Sequence, residues 1–245
     1  MKKTLFTQYE QQMKPARKQL KQDIDSLYHQ IDQDTALLFL IYFCALGVGM
    51  TEYVSTWINH AGKRCQETGY QELGQSLIQH AREEAGHELL MHHDTLALTA
   101  FINSRYQLHL DANVFLSQTL TQGVLNYKAL HEQCINSDTP YGQIAIEYEI
   151  EKISIRHGPK LLFKNIKHYG FGLIKCLSFI RSHVNLDILH TQHNKTMLTD
   201  FLERHPETLP TLIEYGTHSL HYYSEYLHNC WQLADEHKKL LKTVN

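Results

Sequence analysis

The chain has little of what marks a secreted, membrane-spanning or β-rich protein. Its 245 residues include five cysteines, an odd number with no Cys-x-x-Cys pair. That excludes a simple disulfide framework and fits free thiols in a reducing cytoplasm. Prolines are equally few, five in all, so long stretches run without a breaker. Outside residues 143–154 no alternating strand pattern extends beyond a few positions. Neither sign of charge dominates: 23 basic residues face 26 acidic ones, for a net charge of −3. The charges are scattered, not striped, so no field draws nucleic acid or acidic lipid. The most apolar run, ALLFLIYFCALGVGM at residues 36–50, lies between Asp34 and Glu52. It is shorter than the roughly 20 residues of a spanning helix. It reads as a buried central helix, and membrane contact is not expected. The opening residues, MKKTLFTQYEQQMK, turn polar before the apolar stretch of a signal peptide forms.

What remains is rich in helix formers, and 42% of residues are apolar, enough for one core in a single domain over 1–245. The pattern predicts an all-α protein. An amphipathic arm covers 3–31, disturbed near Pro15, and residues 1–33 are set apart as an N-terminal extension. Helices are predicted over 34–60, ending near Gly62, and over 70–102. A loop follows at 103–110, then a helix over 111–135 capped by Asp111. Ser137-Asp138-Thr139-Pro140 starts the next helix, which is expected to stop at His157 before Gly158-Pro159. A short helix over 160–168 and longer ones over 177–204 and 208–242 complete the chain.

Histidine is the outlier, with 18 residues, and the informative ones sit beside carboxylates on apolar faces. In HAREEAGHELLMHHD, residues 80–94, one helical face carries His80, Glu84, His87, Met91 and Asp94. Glu84 and His87 are i, i+3 neighbours, the Glu-x-x-His spacing of dinuclear sites in helical bundles. In QIAIEYEIEKIS, residues 143–154, Glu147 and Glu151 share a face flanked by isoleucines. Glu149, Lys152 and Arg156 fall on the opposite, solvated-looking side. A carboxylate in an apolar surround is costly unless paired or metal-bound. In HVNLDILH, residues 183–190, His183, Asp187 and His190 follow i, i+4, i+7 along a stripe that continues through Phe179, Ile180, Asn194 and Met197. Glu84, His87, Glu147, His183, Asp187 and His190 thus form a candidate ligand set, with His80 and Glu151 as additional candidates. Mixed nitrogen and oxygen donors without thiolate favour two Fe ions (Fe2+), with Mn or Zn as substitutes.

These residues resemble the heme-oxygenase-like diiron oxidase and oxygenase superfamily. His183-x-x-x-Asp187-x-x-His190 carries the resemblance most specifically. The Glu84-Ala-Gly-His87 segment resembles that family's first ligand helix, and Glu147 its middle one. The resemblance spans about residues 35–235. It implies a heme-oxygenase-like bundle of about seven helices, often a homodimer, that uses O2 and an electron donor to oxidise a small-molecule substrate. Chemistries in the group include N-oxygenation, C–C cleavage of amino acids and decarboxylation of fatty acids, so the resemblance leaves the reaction open. An amino-acid-derived or acyl substrate is expected, with Met91, Phe179 and Ile180 excluding water around its apolar part. Two other readings stay open: a non-redox metal- or ligand-binding protein on the same fold, and a thiaminase-like hydrolase using Cys134 or Cys176. Heme oxygenase itself would leave the buried carboxylates unexplained.

Overall fold

Local signals set several of the helix starts. In the computed structural model, which describes residues 4–241 and omits the side chains of residues 34, 164, 166 and 184–189, Thr4 caps α1 (Leu5–Gln12) by accepting from the Thr7 amide. Pro15 lies in the first turn of α2 (Lys14–Gln30), where its missing N–H costs nothing. The disturbance expected there is a break between two helices. Asp32 caps the central α3 (Gln33–Thr51) through the Thr35 amide. The chain continues through α4 (Val54–Glu67), α5 (Gln71–Glu83) and α6 (His87–Tyr106). Next come α7 (Ala112–Leu116), α8 (Gln122–Asn136), α9 (Gln143–Tyr169), α10 (Ser178–Arg204) and α11 (Leu209–His237).

Helix α3 is apolar all round because it is buried all round. Leu37, Leu38, Leu40, Ile41 and Leu46 are fully buried, and α6, α7, α8 and α11 pack against the helix. The helical stretch Thr35–Glu67 has the length and apolarity of a membrane-crossing segment, yet 72% of its most apolar window is buried inside the fold.

The structure departs from the predicted boundaries in several places, the first being that α6 runs to Tyr106, into the loop predicted over 103–110. The helix over 34–60 is two helices, interrupted at Glu52 and Tyr53. It also runs past Gly62, because that glycine is a crossing point: a Cβ on Gly74 of α5 would sit 2.4 Å from the Gly62 carbonyl oxygen. The helix over 70–102 breaks at Gly86, whose φ of 94° is left-handed. The helix over 111–135 is α7 and α8, with Asp111 capping only the first. Conversely, α9 does not stop at Gly158-Pro159 but carries Pro159 inside it. Packing on α10 and α11 outweighs the local cost of the proline.

The arm overturns one further expectation. Glu149 and Lys152 are buried, not solvated; among the three residues of that face only Arg156 is exposed. Arg17 of α2 donates to Glu149 from Nε at 2.7 Å and from Nη2 at 2.5 Å. Tyr9 of α1 donates its hydroxyl to Glu149 at 3.0 Å. Glu10 accepts from Arg17 and from Lys152 Nζ, the latter at 2.9 Å. Helix α9 in isolation offers this face to water; the arm supplies its countercharge.

Candidate metal centre

Four helices deliver the chemistry. His80 sits in the last turn of α5, fully buried. The chain then turns through Glu84, Ala85 and the left-handed Gly86 before α6 begins at His87. This turn, rather than a continuous helical face, brings Glu84 Oε2 to 2.6 Å from His87 Nδ1. Helix α9 contributes Glu147 and Glu151, and α10 contributes His183 and His190. The start of α10 is fixed from α6: Asp94 accepts from the Ser178 amide at 2.8 Å, its hydroxyl at 2.6 Å and the Phe179 amide at 2.8 Å. Asp94 therefore places the histidines of α10 and is spoken for as a cap.

Two groups of potential ligand atoms result. His80, Glu84, Glu151 and His190 form one, and Glu84, His87 and His183 the other; within each, the donor atoms lie within 4.8 Å of one another. Glu84 belongs to both. His80 Nε2 is 3.2 Å from Glu151 Oε1, and His190 Nδ1 is 3.1 Å from Glu84 Oε1. The imidazoles of His87 and His183 meet edge to face at 4.6 Å. Of the candidate set, Glu84, His87, His183 and His190 are thus brought together, and both additional candidates, His80 and Glu151, join them. Glu147 stands at the edge. One of its oxygens is 4.0 Å from His80 Nε2, and the other accepts from Gln143 Nε2 at 2.5 Å. The side chain of Asp187 lies outside the described residues.

The residues suit a metal. Among the described residues the ring nitrogens of the fully buried His80 make no aligned hydrogen bond and face only carboxylates, Glu151 nearest at 3.2 Å, an arrangement that a ligated ion completes. His183 Nδ1 lies 2.8 Å from the Phe179 carbonyl oxygen. A carbonyl only accepts, so that nitrogen carries the proton and Nε2 keeps its lone pair for a metal. Burial lowers the His183 pKa to about 4, against the hydrogen bond to Phe179, so the ring is neutral at physiological pH. Burial works against the Glu84 carboxylate too, but hydrogen bonds from His190 and His87 prevail and hold its pKa well below the usual range. Glu147 goes the other way: burial raises its pKa to about 8, which neighbouring His80 only partly opposes.

Sequence reasoning placed Asn194 on the α10 stripe without a role and passed over Gln143, and both support the site. Asn194, fully buried, donates Nδ2 to Glu151 Oε2 at 2.7 Å. Gln143, also fully buried, ties Glu147 to His131. Each lies four residues along a helix from a candidate ligand, Asn194 from His190 and Gln143 from Glu147, and that spacing was the available signal. All five cysteines are free and buried. Burial pushes the Cys134 and Cys176 thiols up, which opposes the thiolate a hydrolase needs. An apolar cavity of about 110 Å³ opens beside the cluster, lined by Glu84, Glu147, Glu151 and His183 with Met91, Phe179 and Tyr127.

A crystallised domain of unknown function from Shewanella denitrificans OS217, described as having a heme oxygenase-like fold, superposes with a TM-score of 0.69 at 16% identity. The match covers 98% of this chain and 93% of that one. This chain has the heme oxygenase-like fold. Coverage of that extent reaches into the arm, which the sequence resemblance over 35–235 left out. No family model and no curated protein matches the chain. At this identity the likeness shows the heme oxygenase-like fold alone, and the chemistry has to come from the side chains.

Proposed function

We propose that this protein is an O2-dependent non-heme oxidoreductase holding two Fe ions, Fe2+ when reduced, between α5, α6, α9 and α10. The observation that carries the reading is Glu84, a half-buried carboxylate common to two adjacent ligand groups, as a bridging ligand of a dinuclear site would be. Bound there, paired iron supplies the redox capacity for O2 that carboxylates and imidazoles lack. The chain's own residues hold and insulate it. His80, Glu151 and His190 would serve one ion, His87 and His183 the other. Phe179 orients His183 through its carbonyl, Asn194 orients Glu151, and Met91 and Phe179 exclude water. Three carboxylates around one cavity would face the apolar surface of a porphyrin, so the heme oxygenase-like fold is used here without heme. The reading includes a small-molecule substrate, a separate electron donor, a cytoplasmic location and a homodimer. Mn or Zn would fit the same donors.

Anaerobic Fe(II) titration followed by O2 uptake tests it. Wild type should bind about two irons per chain, the number such paired ligand sets hold. Glu84→Ala should weaken both, whereas His80→Ala and His87→Ala should each weaken one. Binding of no more than one iron, or equal O2 uptake in wild type, Glu84→Ala and His183→Ala, would refute it. Metal binding with no O2 uptake would point to a non-redox binding protein.

A further inference from the structure

The apolar side of the site does not end at the candidate ligands. Behind the cavity that touches Glu84, Glu147 and Glu151 lies a second, of about 70 Å³. Phe43, Ile153, Ser154, Phe179, His183 and Tyr223 line both, so the two cavities adjoin. The second cavity is lined on one side by Ile24, Leu27 and Tyr28 of α2 and by Ile31, which ends that helix, all in the N-terminal arm. Among the described residues, no Asp, Glu, Lys or Arg lines this second cavity. The wall is fastened in place. Arg17 binds Glu149 of α9, and Ser224 Oγ of α11 donates to Asp23 Oδ2 at 2.7 Å, immediately before Ile24.

We infer that α2 is the end wall of a substrate chamber, and that the substrate carries an unbranched aliphatic chain whose length Ile24 and Leu27 gauge. The polar head lies among Glu84, Glu151 and His183, a placement that rests on the function proposed above. The tail crosses between Phe43 and Phe179 and stops against Leu27. A charged tail, such as the amine of a basic amino acid, would lose its hydration there with no carboxylate among the described lining residues to pair with it. A methylene moved from water into such a lining raises affinity about fourfold. Affinity should therefore climb with chain length until the tail meets α2, and then level off.

The test uses the metal-free full-length protein and straight-chain primary alcohols from butanol to dodecanol, titrated calorimetrically. A neutral head avoids repulsion by the carboxylates. Wild type should gain about fourfold per added methylene up to a limiting length. Leu27→Trp should shorten that limit and Leu27→Ala lengthen it, with Ile24→Phe as a second filling variant should Leu27→Trp not give a cooperative melt. Affinity indifferent to chain length, or a limit that moves in no folded variant, would overturn the inference. Iron stoichiometry measured on the same preparations separates the two failures. Length-dependent binding without two irons keeps the chamber and removes the dinuclear reading; two irons with a flat alcohol series does the reverse.

Discussion

Replacing Arg17 with alanine should release the arm at a cost set by what is left behind. Arg17 makes two hydrogen bonds to Glu149, at 2.7 and 2.5 Å. The Glu149 side chain is only 1% exposed, so water cannot replace the guanidinium. Of the groups around that carboxylate, the uncharged Tyr9 hydroxyl remains a donor at 3.0 Å, and Lys152 attracts it electrostatically but its ammonium bonds Glu10 instead. Removing one partner of a buried ion pair costs about 3–5 kcal/mol. For a chain of this size that corresponds to a melting temperature lower by about 6–20 °C. Urea denaturation of metal-free protein, followed by circular dichroism, would read it. The double variant Arg17→Met with Glu149→Leu should regain most of the loss, because the penalty belongs to the stranded carboxylate. Neighbouring Glu10 predicts the pH behaviour. Burial opposes its charge, but Arg17 and Lys152 overcome this and bring its pKa from 4.5 to about 2. A depressed carboxyl pKa stabilises the fold above 4.5, and that stability is lost as pH falls towards 2. If Arg17→Ala costs less than about 1 kcal/mol, a value ordinary for an exposed pair, the argument from burial is wrong.

Three further outcomes are expected. Gly86→Ala should destabilise the protein by about 1–2 kcal/mol through backbone strain alone, since φ there is 94° and nothing lies within 4 Å of the added Cβ; a neutral melt would contradict the turn between α5 and α6. Asn194→Ala should weaken metal binding about 10–100-fold by freeing Glu151 to rotate, as read by competition with a chelator; unchanged affinity would deny Asn194 an orienting role. Glu147→Gln should leave metal-free stability unchanged at pH 4 and exceed wild type by a margin that grows as pH rises from 4.5 to 8. The raised Glu147 pKa means the native state holds a proton the unfolded chain has lost across that window; a margin independent of pH would refute it.

The sequence by itself determined the helical class, the buried central helix and the pool of candidate ligands. Those follow from periodicity and from residue type, which are local properties. His183 and His190 were legible because one helix, α10, presents both. His87 and Glu84 were legible as a pair, but for the wrong reason. They meet across a turn at Gly86, not along a helical face, since one left-handed residue redirects the chain. The ranking of Glu147 over Glu151 could not be made from α9 alone, because both share its face. Only the approach of His80 from α5 and Asn194 from α10 places Glu151 inside the cluster and leaves Glu147 beside it. The same helix shows why the arm was misjudged. Glu149 and Lys152 look solvated on a wheel, and only the docking of α1 and α2, with Arg17 and Glu10, makes that face an interior. A wheel records which residues share a side; what lies opposite that side depends on contacts between residues more than a hundred positions apart, and those the tertiary structure alone decides.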